Sequence, residues 1–286
     1  MASRHISRPR HSGHLGRRRE KSHTQQKVLV LASGSSISAT PTKDICGIPI
    51  HALGPSDAAA AIVSAARDRL PLAIHLCNAY TLSLVDRDRR LSMALVNSDL
   101  NLPDGTPVAW LLRSSGVMAP ARGPELVRDV VDRGQEWGLS HFFWGGGEGI
   151  AAGMAERLKR EFPRLVIADT VAPPYRVPTD IDLREVAERA TSQAADVIWV
   201  GLGTPKQDYV VAQLSELTSR PVVPVGAAFD IISGKVREAP RILRGSGLEW
   251  LFRLAMEPRR LWKRYLFGNF RFIFTYLRHL FAHHDV

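Results

Sequence analysis

Short apolar runs alternate with amphipathic stretches along most of this chain. Runs of strand length stand at 72–76, 140–144, 164–169, 196–200 and 222–225. Between them, helical spacing recurs at 56–69, 79–85, 125–137, 150–162, 183–193 and 209–217. Continuous apolar runs suit strands covered on both faces, and their alternation with helices calls for a parallel sheet. The expected fold is α/β: a Rossmann-like, mostly parallel sheet with helices on both faces. ICGIPIHAL, from Ile45, reads as a strand or an edge hairpin, and the folded body is expected to begin there.

One stretch departs from this rhythm. In NSDLNLPDGTPVAWLLR, residues 97–113, an apolar run meets Pro103, then Asp104-Gly105, before a new helical pattern opens. Pro103 biases Leu102 toward an extended backbone, and Gly105 permits a sharp turn. Asp104 therefore projects from a corner at a helix start, where it either caps that helix or serves as a reactive carboxylate.

Three glycine-bearing turns follow later strands. GGGEG, residues 145–149, places backbone N–H groups at a helix start, as anion binding or close strand–helix packing would require. In GLGTPKQD, residues 201–208, Gly201 and Gly203 permit close backbone approach, while Lys206 and Gln207 suit a phosphate and a base or sugar hydroxyl. An ordinary strand–helix turn with polar residues reads the same way. GAAFD, residues 226–230, brings Asp230 to the same sheet edge, as a sugar-hydroxyl acceptor or a cap. Parallel sheets bind ligands at the C-terminal ends of their strands.

The charge is uneven. Residues 1–27 carry 8 Lys/Arg and 1 acid, residues 235–286 carry 11 and 4, and the middle is mildly acidic. Cationic ends around such a body point to an anionic surface rather than nucleic acid. From Leu248, aromatic and aliphatic residues recur at helical spacing among arginines: Trp250, Leu251 and Leu254 with Arg253, then Leu261, Trp262 and Tyr265 with Arg259 and Arg264. This suits a helix lying in a membrane interface; a helix packed on the body with snorkelling arginines is the alternative. No apolar run is long enough to span a bilayer, and no secretory signal is evident. Residues 1–44 are expected to be a disordered basic tail and linker, 45–240 the Rossmann-like body, and 241–286 a basic amphipathic membrane-associating appendage.

Cys46 and Cys77 lack metal or disulfide spacing and read as buried free thiols. No His/Cys/carboxylate pattern calls for a metal, and GxSxG is absent.

Taken in order, CNAYTLSL, LNLPDGTPVAW, FFWGGGEGIA, ADVIWVGLGTPKQD, VGAAFDIISGKVREAP and GLEWLFRLAMEPRRLWKRY resemble the WecG/TagA/CpsF family of bacterial glycosyltransferases, over about 45–270. The resemblance implies inverting, metal-independent transfer of a sugar from a UDP-sugar to a polyprenyl-diphosphate-linked acceptor, with no cofactor. It places the general base at Asp104 and pocket positions at Asn78, Arg122, Gln207 and Asp230. Arg253, Arg259 and Arg264 correspond to an appendage that covers the site and holds the enzyme to the inner face of the cell membrane, in the cytoplasm. Leu76, Asp208 and Ile242 depart from the family pattern. A competing reading is a nucleotide-sugar-binding regulator without catalysis; a nucleic-acid binder is disfavoured by the acidic middle. The apolar C-terminal face favours self-association where lipid is absent.

Overall fold

The computed structural model describes residues 40–282. Residues 1–39, which include most of the expected basic tail and the VLVLA run at 28–32, lie outside the described residues, as do 283–286. The first strand, Thr42–Ile45 (β1), pairs antiparallel with Ile48–His51 (β2) around a tight turn at Cys46 and Gly47, both at positive φ.

The main sheet has six parallel strands. They are Leu72–Cys77 (β3), Leu100–Pro103 (β4), Ser140–Gly145 (β5), Val166–Val171 (β6), Val197–Gly201 (β7) and Pro221–Pro224 (β8), in the order β4-β3-β8-β7-β5-β6. The expected α/β architecture is what forms. β4 is an element that the apolar pattern left unassigned. Its four residues are too few for a period to show, and polar Asn101 interrupts them.

Alternate residues of each strand feed opposite layers. On β7, Val197 and Trp199 pack with Pro55–Arg67 (α1), Gly123–Gly134 (α5), Ile150–Glu161 (α6) and Ala228–Ser233 (α9). Ile198 and Val200 pack instead with Asp180–Ser192 (α7) and Val211–Thr218 (α8). Beyond β3, the second layer is continued by Ala79–Leu82 (α2), Arg89–Val96 (α3), Thr106–Leu111 (α4) and the β1–β2 hairpin.

The sheet's β4 edge is covered by side-chain bonding. Asn101 is fully buried; its Nδ2 donates to Pro49 O at 3.1 Å and to Leu95 O at 2.7 Å, and its backbone N–H donates to His51 Nδ1 at 3.1 Å. Burial holds His51 below its usual pKa, leaving Nδ1 free to accept.

The chain ends in Glu249–Met256 (α10) and Pro258–Ala282 (α11). Leu261, Gly268, Phe272 and Thr275 are buried, a spacing of one helical face, and Phe272 joins the core beneath the hairpin. Arg278 and His279 reach back to Asp86 at 2.6 and 3.1 Å. The opposite face leaves Phe270, Ile273, Phe274 and Phe281 more than half exposed.

Glycine is required where β5 and β7 end side by side. A Cβ on Gly145 would lie 2.4 Å from Gly201 Cα, and one on Gly201 would lie 2.5 Å from the Phe229 ring. Gly145→Ala is expected to destabilise the fold by about 1–3 kcal/mol, the usual cost of overpacking a tight core. Urea denaturation reads this, and an unchanged midpoint would contradict the packing.

Candidate active site

The C-terminal ends of β4, β3, β8 and β7 open into a cleft of about 230 Å³, closed from the far side by α10 and α11. Its walls bring together Asn78, Asp104, Arg122, Gly203, Gln207, Arg253 and Arg264, seven of the residues singled out by the motifs.

Asp104 leaves β4 with its N–H bonded to Cys77 O at 3.0 Å, which ties the corner to the neighbouring strand. Gly105 follows at φ 76° and is itself the N-cap of α4, with no side-chain cap bond. The capping alternative for Asp104 is therefore overturned, and its carboxylate is left for the cleft. Asn78 Nδ2 donates to Asp104 Oδ2 at 3.0 Å. The amide cannot turn round without loss, because Oδ1 accepts from Thr81 N at 3.1 Å as the cap of α2. Helix capping just after β3 thus orients the donor that meets the carboxylate just after β4.

Burial pushes the Asp104 pKa up. The Asn78 bond, then Arg253 and Arg122, oppose that rise, while Glu249 reinforces it. A carboxylate with a raised pKa beside cations is suited to accepting a proton near neutral pH.

Arg122, at the N-cap of α5, is only 7% exposed. Its guanidinium binds Glu125 through Nη1 and Glu249 through Nη2, the latter at 2.6 Å. Arg253, on α10, has a buried Nε without a partner among the described residues. Arg264, on α11, stacks over the Tyr80 ring at 4.2 Å. One guanidinium from the start of α5 and two from the terminal helices therefore line one cleft with Asp104. Such groups bind phosphate in a planar, two-point fashion.

Gln207 is buried, and its Oε1 accepts from Gly203 N at 3.1 Å. It lies against Gly226, where a Cβ would stand 3.1 Å from that oxygen. Asp208, next in sequence, is buried and bonded to His75 Nδ1 at 3.0 Å, anchoring the turn to β3.

Four motif residues stand outside the lining. Gly201 serves the close packing against Gly145 and Phe229. Lys206 Nζ sits 5.5 Å over the Tyr175 ring. Asp230 turns to Lys235 at 3.4 Å and Arg260 at 3.8 Å, and Arg259 is exposed. The GGGEG turn also lies off this cleft. Lining residues that sequence reasoning missed include Tyr80, Glu249, Tyr265 and Asn269. Glu249 had a signal available: it stands four residues before Arg253, on the same helical face.

Both cysteines are buried and free, and burial drives Cys46 up to about 12 and Cys77 well above its usual value. They are poor nucleophiles in this state. Among the described residues, no three His, Cys, Asp or Glu side chains converge as metal ligands, and no helix is long and apolar enough to cross a membrane.

Fold and cleft together define a Rossmann-like α/β protein with a carboxylate and guanidiniums gathered above its strand ends. The model of the "Glycosyl transferase WecG/TagA/CpsF family" matches residues 43–285. The chain belongs to that family and is a glycosyltransferase. It is 32% identical over 180 residues, 62% of this chain and 68% of the relative, to an N-acetylglucosaminyldiphosphoundecaprenol N-acetyl-beta-D-mannosaminyltransferase of Bacillus spizizenii (strain ATCC 23059 / NRRL B-14472 / W23). A protein of the same name from Bacillus subtilis (strain 168) is 27% identical over 183 residues, 63% of this chain and 69% of that relative.

The raised pKa makes Asp104 a stability liability with a defined sign. The folded state holds the proton at pH values where the unfolded chain has lost it. The cost is therefore absent below the unfolded value and grows as pH rises through the folded one. Asp104→Asn is expected to raise the melting temperature at pH 7.5, with the gain shrinking toward pH 4. A variant less stable than wild type at pH 7.5 would contradict this account.

Proposed function

We propose that this glycosyltransferase moves a sugar from a UDP-sugar to a polyprenyl-diphosphate-linked sugar acceptor, with inversion, in the assembly of a cell-surface polysaccharide or wall polymer. The observation that carries the reading is the Asp104 carboxylate, oriented by Asn78 and lining one cleft with Arg122, Arg253 and Arg264. The names of both relatives, which specify a diphosphoundecaprenol-linked N-acetylglucosaminyl acceptor, support the acceptor class.

In the proposed step, Asp104 takes the proton of an acceptor hydroxyl as its oxygen attacks the anomeric carbon. The bond from that carbon to the donor's diphosphate oxygen breaks, and the departing UDP keeps the electron pair. Attack opposite the leaving group inverts the centre. Guanidiniums facing the diphosphate stabilise the charge that develops there, a role in which no resident metal is required. Asn78 keeps the carboxylate aimed, and Gln207, with Gly203 and Gly226 around it, offers amide and backbone groups to the nucleotide.

The lipid-linked acceptor accounts for α10 and α11. These helices close the cleft with Arg253 and Arg264 while turning Leu251, Phe270, Ile273 and Phe274 outward. An aromatic face flanked by arginines suits the headgroup region of an anionic bilayer. Docking there would place the acceptor's diphosphate at the membrane side of the cleft and couple lipid contact to completion of the site.

Asp104→Asn is expected to lower transfer by roughly 10²–10⁴-fold, the typical contribution of a general base, with UDP binding retained. UDP release from UDP-sugars with a short polyprenyl-diphosphate-sugar measures this, and unchanged turnover excludes the assignment. EDTA is expected to leave the rate unaltered. The full chain is expected to float with vesicles containing anionic phospholipid. Phe270→Ser with Phe274→Ser is expected to weaken flotation while preserving the fold; equal flotation of the double variant would remove the membrane role of this face.

A further inference from the structure

Arg122 meets two carboxylates in this structure. Nη1 is bonded to Glu125 and Nη2 to Glu249, and the side chains of Arg122 and Glu249 are 9% and 22% exposed. Glu125 has a further cation in Arg244 at 3.6 Å, and Glu238 bonds Arg244 at 3.2 Å, so that side of the network is internally balanced. Glu249 differs. It lines the cleft, its one ion-pair partner among the described residues is Arg122, and it is carried by a helix with no buried residue. Besides this ion pair, α10 is steadied by the Trp250 ring, 5.7 Å from that of Tyr265 on α11.

A buried guanidinium is stabilised by every carboxylate it meets, and here Glu249 adds to Glu125 a second anion on the side of Arg122 that faces the cleft. A phosphate competes for the same planar nitrogen edge that a carboxylate occupies. Glu249 is also one helical turn before Arg253, whose Nε is unpartnered at the cleft. Displacing Glu249 would therefore free Arg122 Nη2 beside a second guanidinium that is already open.

We infer that Glu249 is an internal stand-in for the donor's diphosphate: it holds the Arg122 seat and α10 together until a diphosphate displaces it, and α10 shifts as it leaves. The inference rests on the reading of the cleft as a diphosphate site. It assigns α10 a part in donor entry and gives the cleft a threshold. A ligand must offer more negative charge than a positioned carboxylate, so a diphosphate gains entry where an uncharged nucleoside does not.

The test is calorimetric titration of the full chain and its Glu249→Gln variant with inorganic pyrophosphate, UDP and uridine. Loss of the competing charge-assisted pair is expected to tighten pyrophosphate and UDP by about tenfold or more, leaving uridine unchanged. Glu249→Asp, which withdraws the carboxylate from Arg122, is expected to tighten both in the same direction and serves if Glu249→Gln misfolds. In the wild type, saturating pyrophosphate is expected to change tryptophan emission, and Trp250→Phe to abolish that change. Equal or weaker pyrophosphate binding by the Glu249 variants overturns the inference, as does failure of both forms to bind it. Emission unmoved by pyrophosphate overturns the coupled shift of α10. Failure of the UDP-sugar reading is separable: a protein that turns over no UDP-sugar but binds pyrophosphate more tightly after Glu249→Gln retains the exchange at Arg122.

Discussion

The hydrogen bond from Asn78 to Asp104 is the contact on which the cleft depends. It joins two adjacent strand ends through groups that each have a second obligation. Asn78 spends its oxygen on the first turn of α2, so its nitrogen faces the carboxylate. Asp104 has its backbone tied to Cys77, the strand residue that directly precedes Asn78. The carboxylate is thus fixed without being neutralised, partly withdrawn from water yet still an acceptor. The surrounding arginines act on a charge whose position is already settled by the sheet.

Parallel topology explains how such distant residues converge. A sheet whose strands all point one way gathers every following turn at one edge, so β3, β4, β7 and β8 each deliver a turn to the cleft. The two terminal helices then bring Glu249, Arg253 and Arg264 over that edge. Separating chemistry between turns and a covering segment gives the site one rigid half and one half that rests on few buried contacts.

Much of this was legible in the chain. Strand–helix alternation showed the α/β class because unbroken apolar runs and helical periods are local signals, and Asp104 was legible because Pro103 and Gly105 constrain the backbone on either side. What escaped depends on partners remote in sequence. β4 hides because LNLP is short and its buried Asn101 is satisfied by Pro49, 52 residues away. Gly201 looked suited to close ligand approach, yet the space beside it is filled by Phe229. Asp230 stands near the sheet edge as its motif suggested, but Lys235 and Arg260 engage it. Glu249 drew no notice because its meaning lies in Arg122, 127 positions earlier.

The sealed flank at β4 has a consequence for how a large substrate can arrive. A sheet border normally invites another extended segment to add alongside it. Here His51 takes the Asn101 N–H on the strand that ends at Asp104, and the Asn101 side chain is bonded to the hairpin at Pro49 and to α3 at Leu95. Strand addition at that N–H would have to displace the hairpin's His51. The open way to Asp104 lies above the strand tips, in the cleft that α10 and α11 help to line.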